Sequence, residues 1–97
     1  MSEPYDDDPG LPCLLSDEVS ALLLDPAVPV AVFGAVMAAT VLINEHRGEV
    51  PGSTASAKWP HQRRMALGAD GTLGIAEYVI VADADPPHIV LTRVQLY

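Results

Sequence analysis

Apolar and polar positions along the 97-residue chain change their spacing once, near residue 58, dividing it into a helical half and a stranded half. LPCLL at 11–15 is a short apolar run that predicts a first strand. Ser16 follows with a hydroxyl suited to an N-cap, and Asp17 and Glu18 suit the positive end of a helix dipole, which predicts a helix over residues 17–24. Asp25-Pro26 opens a second helix, the aspartate as cap and the proline at the first position, where a missing N–H costs nothing; Pro29 still falls in the first turn. The pattern carries this helix to His46-Arg47, basic side chains at the negative end of the dipole, with Gly48 as a left-handed cap. Its expected length is about 20 residues, roughly 30 Å.

Phe33, Val36, Met37, Val41 and Asn44 mark one face of the second helix, and Ala31, Ala35, Ala38, Ala39 and Leu42 cover much of the rest. A sheet is expected on one side and a second surface, a partner chain or another copy in a homodimer, on the other. VPGSTASAK at 50–58 is rich in turn formers and reads as a loop. Beyond it the period is two: a strand over Gln62 to Leu67, a hairpin turn at Ala69-Asp70-Gly71, and a long strand from Thr72 to Ala82 that is apolar on both faces, as a central strand is. DADPP at 83–87 turns the chain into a last strand, HIVLTRVQLY, at 88–97. The order β-α-α-β-β-β predicts a single two-layer α+β domain over 11–97, a helical hairpin on a twisted, mostly antiparallel sheet. MSEPYDDDPG at 1–10 is too polar to order itself and is expected to be a flexible acidic tail.

Charge adds the most to this outline. The net charge is −8, and it lies in residues 1–50, where nine acidic side chains face Arg47 alone, while in 51–97 four acids balance Lys58, Arg63, Arg64 and Arg93. Such a chain is repelled by nucleic acid and by anionic membranes, so any RNA contact is restricted to the C-terminal basic patch. Residues 27–43 are 17 positions without a charge. Pro29, Gly34 and the alanines dilute their hydropathy, and aromatic belts and flanking lysines are missing, so a covered helix rather than a membrane span is expected. One cysteine, Cys13, excludes an internal disulfide, and the N-terminal ten residues lack a secretory pattern, which together point to the cytoplasm.

Candidate chemistry is confined to a few positions. KWPHQRR at 58–64 gathers Lys58, Trp59, His61, Arg63 and Arg64, a set able to bind an acidic partner or, through forked guanidinium groups and a stacking indole, RNA. Alternation in the last strand places His88, Val90, Thr92, Val94 and Leu96 on the core face and Ile89, Leu91, Arg93, Gln95 and Tyr97 opposite. Glu77 falls in line with Leu73, Ile75, Val79 and Val81, where a lone carboxylate is costly; a bulge near Gly74 or an arginine such as Arg63 is expected to resolve it. His46, His61 and His88 lack metal-ligand spacing, and no nucleophile elbow, phosphate loop or cofactor motif is present.

With helices early and the run RRMALGADGTLGIAEYVIVADADPPHIVLTRVQLY late, the chain resembles the RelE/ParE toxin superfamily of type II toxin-antitoxin systems over about residues 11–97. The resemblance implies a helical hairpin on a sheet and an antitoxin that packs on both. For the ribonuclease branch it implies metal-independent mRNA cleavage on the ribosome, with Arg64 and Tyr97 as catalytic groups and Arg93 or His88 as a further contact. Against that branch, Glu77 stands before Tyr78 where such proteins commonly carry an arginine, and the chain is acidic where they are basic. The expectation is therefore a toxin-like component that acts through protein contacts on translation or a topoisomerase. A non-toxic binding or regulatory module on the same fold, and a ribosome-dependent mRNA endonuclease using Arg64, Arg93 and Tyr97, are the alternatives.

Overall fold

The computed structural model describes residues 10–97. Residues 1–9, most of the expected tail, lie outside the described residues. Gly10 is held in place, since Arg47 donates to its carbonyl at 3.3 Å. Beside it, the Leu11 N–H donates to the Asn44 carbonyl at 3.2 Å and the Asn44 side-chain amide donates back to the Leu11 carbonyl at 2.7 Å.

Strand β1 (Cys13–Leu15) leads into helix α1 (Asp17–Leu24) through Ser16, whose hydroxyl accepts from the Val19 N–H at 3.2 Å as the expected N-cap. Helix α2 (Val30–Glu45) starts later than its sequence implies. Asp25 caps a turn and not the helix, its carboxylate accepting from the Ala27 N–H at 2.9 Å, and Pro29 takes the N-cap without a side-chain hydrogen bond. The reason is steric: the ring of Pro29 disfavours helical backbone at Val28, so a helix begun at Pro26 cannot pass through.

At the other end, the Gly48 N–H donates to the Ile43 carbonyl at 2.8 Å and the Arg47 N–H to the Asn44 carbonyl at 3.2 Å, the two bonds of a Schellman motif. Arg47, with φ of 52°, occupies the left-handed position expected for Gly48. Gly48, at φ of 88°, comes next, where a Cβ would lie 2.5 Å from the Ile80 side chain. Only glycine combines that conformation with that approach.

Four further strands complete one sheet: β2 (Thr54–Ala55), β3 (Gln62–Leu67), β4 (Gly74–Val81) and β5 (His88–Leu96), in the order β1-β5-β4-β3-β2. All neighbours are antiparallel except β1 and β5, which run parallel. The two-layer α+β architecture is as expected, with β4 central, but the sheet has five strands and not four. The extra strand, β2, lies in the stretch read as a loop. Arg63 holds it there: its Nη2 donates to the Ser53 hydroxyl at 2.9 Å, and that hydroxyl donates to the Val50 carbonyl at 2.6 Å.

Both helices lie on one face of the sheet, α1 against β5 and α2 against β1, β5 and β3. Their shared core is Val19, Val32, Val36, Ala39, Ile43, Leu67, Ala76, Tyr78, Ile89 and Leu91. Two expected faces are thereby corrected. In α2 the sheet-facing line is Val32, Val36, Ala39 and Ile43, while Phe33, Met37 and Val41 are exposed. In β5, Ile89 and Leu91 point to the helices, and Val90 lies on the other side, because the register shifts by one residue opposite Glu77/Tyr78. Tyr78 pairs with Leu91 and Glu77 with Arg93, leaving Thr92 as the extra residue of a β-bulge. Past the bulge the parity flips, so Val94 faces α1 as expected and Arg93 and Gln95 are exposed.

Ser16 ties α1 to this bulge. Its hydroxyl donates to the Thr92 carbonyl at 2.9 Å, and the Thr92 hydroxyl donates to the Glu77 carbonyl at 3.1 Å. Ser16→Ala removes a cap and a bulge contact together. A loss of about 1–2 kcal/mol is expected in urea unfolding monitored by circular dichroism. Among the described residues, no helix is long and apolar enough to cross a membrane.

Candidate functional site

The face of the sheet turned away from the helices collects most of the candidate residues. Register fixes this: Arg64 of β3 lies across from Glu77 of β4, which lies across from Arg93 of β5, so the three side chains emerge on the same side. One step along, Ala66, Ile75 and Gln95 form the next cross-strand row, and Tyr97 follows Leu96 with its N–H donating to the Leu73 carbonyl at 3.1 Å. The bulge at Thr92 is what aligns Arg93 and Gln95 with this surface. With unbroken alternation from the inward Leu91, Arg93 would point into the helices.

Glu77 is the organising residue. It is 9% exposed, the one charged side chain among the buried described residues, and the Arg64 guanidinium meets its carboxylate at 2.7 Å. A carboxylate withdrawn from water this far requires such a partner. The partner is Arg64, and not Arg63 as the sequence suggested; Arg63, one residue earlier, points to the opposite face and holds Ser53. The bulge also forms at Glu77 and Thr92 and not near Gly74.

Arg64 and Tyr97 border a shallow depression of about 330 Å³ with Thr54, Ala66 and Ile75. Arg64 also borders a second, of about 280 Å³, with Thr54, Ser56 and Gln62. Both are open to solvent. The structure thus brings Arg64, Glu77, Arg93, Gln95 and Tyr97 to one face and leaves the other candidates elsewhere. Lys58 and Trp59 sit on the β2–β3 loop, the ammonium 5.6 Å from the indole centroid, and both are exposed. His61 is exposed at the end of that loop, where its carbonyl accepts from the Ile80 N–H at 2.9 Å. His88 lies at the far end of β5 from Tyr97, its Nδ1 3.0 Å from the Pro86 carbonyl.

For cleavage of a phosphodiester, an arginine must be available to the charge that develops on phosphorus, and a base must reach the attacking hydroxyl. Here Nε of Arg64, whose side chain is 63% exposed, meets the Glu77 carboxylate at 2.7 Å, and that carboxylate would stand against an incoming phosphate. Cys13 offers no alternative nucleophile, since burial pushes its thiol up to about 11. What the face provides is a flat array of a cation, an amide, a phenol and apolar side chains, the mixture of a protein-docking surface. The exposed apolar line of α2 is Val30, Phe33, Met37 and Val41, whereas the second surface of this helix was expected on its alanine-rich side. No family model matches the chain, and no curated protein or solved structure matches it.

Proposed function

We propose that this protein is a toxin-like component of a type II toxin-antitoxin system, and that it acts through protein contacts made by the open face of its sheet. The observation that carries the reading is the Arg64–Glu77 pair, in which the arginine that the ribonuclease resemblance requires is engaged by a mostly buried carboxylate. The helical pair followed by a run of antiparallel strands is the arrangement that the RelE/ParE resemblance implies, and it supports the toxin side of the reading. The net charge of −8 supports the contact side, because it opposes approach to RNA.

Growth after induced expression without a partner tests this reading. Arrest is expected with the wild-type chain. Arg93→Glu combined with Tyr97→Phe should relieve it while leaving the far-UV spectrum and unfolding midpoint in place, since both side chains are exposed. Normal growth with abundant folded wild-type protein would replace the reading with a non-toxic regulatory module on the same fold.

A further inference from the structure

We infer that the outward line of α2 is a two-fold interface between two copies of this chain, the helices crossing antiparallel with Met37 of each copy seated over Gly34 of the other. Val30, Gly34, Met37 and Val41 follow one another at helical spacings of four, three and four, on the side away from the buried Val32, Val36, Ala39 and Ile43. A helix that served only its own core would turn its largest apolar side chains inward. This one buries Val32, Val36, Ala39 and Ile43 but leaves Phe33, Met37 and Val41 at 47%, 40% and 54% exposure.

Gly34 is the second, independent observation. It sits inside the helix, where glycine weakens helical structure relative to alanine, and a Cβ built on it meets nothing within 4 Å. Nothing in its own chain therefore requires glycine there. Close approach of another helix does. With the two-fold axis passing between Gly34 and Met37, the methionine of one copy fills the gap over the glycine of the other, and Val30 of each meets Val41 of the other.

The spacing selects a second copy, since positions 30 and 41 and positions 34 and 37 are symmetric about one point and so complement themselves, and charge permits it. Two chains of −8 repel one another, but α2 bears no charge before Glu45, so this line lets identical chains meet without carboxylates inside the contact. The exposed apolar surface of the line is on the order of 400 Å² per copy, the size of the largest patch on an ordinary monomer. Pairing two, with the flanking alanines, removes about 1,000 Å² from water, the lower bound for a specific interface. A weak dimer follows, with Kd on the order of 10 µM, tightening as salt screens the repulsion elsewhere. This inference does not depend on the toxin reading.

Sedimentation velocity of the full chain across a concentration series, under reducing conditions, tests it. The wild-type chain should pass from monomer to dimer, and Met37→Glu should remain monomeric with an unchanged far-UV spectrum. Gly34→Ile, which has room in the monomer, should weaken the dimer at least tenfold by closing the gap that receives Met37. A wild-type chain that stays monomeric at ten times the expected Kd overturns the interface. A dimer indifferent to Gly34→Ile overturns its geometry, and indifference to Met37→Glu overturns both.

Discussion

Tyr78→Ala is expected to lower the unfolding free energy by about 5 kcal/mol, enough to abolish folding in a domain of this length, whose whole stability is about 5–15 kcal/mol. Tyr78 is fully buried at the centre of β4, and its hydroxyl donates to the buried Gly48 carbonyl at 2.6 Å. Truncation opens a cavity between sheet and helices and also strips a buried acceptor of its donor. Tyr78→Phe isolates the second contribution and should cost about 1–3 kcal/mol. Equilibrium urea unfolding of the two variants separates the effects. Near-equal midpoints for Tyr78→Phe and the wild type would mean that the Gly48 carbonyl finds another donor, and the link between the α2 terminus and the central strand would then be weaker than described.

The second large effect is expected at Gly74, where a Cβ would press against the Gln95 carbonyl of the adjacent strand. The main chain cannot yield there without breaking the pairing of Gly74 with Leu96. Gly74→Ala should cost about 2–3 kcal/mol and loosen the end of β5 that carries Gln95 and Tyr97. Hydrogen exchange distinguishes this from general destabilisation. The Tyr97 N–H, bonded to the Leu73 carbonyl, should lose protection well before the amides of Ile89 and Leu91. Uniform loss across β5 would mean that the strand opens as one unit, and that the Gly74 contact has no particular bearing on the face that carries Gln95 and Tyr97.

Much of the architecture could be read from local chemistry. Ser16 with Asp17 and Glu18 marked the start of α1, and period-two spacing between turn residues marked β3, β4 and β5. The misses share a physical cause, that they depend on partners distant in sequence. β2 is two residues long with no pattern of its own, and exists because Arg63 anchors the preceding loop through Ser53. Strict alternation misassigned half of β5 because the extra residue at Thr92 is stabilised by Ser16, 76 positions away. The partner of Glu77 was misread by a single residue, and in a strand a single residue reverses the face. In α2 almost every side chain is apolar, so periodicity had no contrast with which to choose between Val36 and Met37.

For the candidate face, membership was partly visible and its meaning was not. Arg93, Gln95 and Tyr97 were assigned to one exposed side, and they lie there. Register alone places Arg64 beside them with Glu77 between it and Arg93, and that central carboxylate offsets one of the two guanidinium charges by pairing with Arg64. A cluster of arginines in a sequence is a statement about charge. Its chemistry is decided by what stands between the guanidinium groups.

The most direct test of a face that docks proteins and does not cleave RNA is transcript integrity in a cell-free translation reaction supplied with the purified chain, read by primer extension along the translated message. Intact transcripts are predicted for the wild-type chain, and also for Glu77→Gln, which weakens the hold on Arg64 without removing it from the face. Cleavage by the wild-type chain that disappears with Arg64→Ala would contradict the account and identify the face as a ribonuclease site.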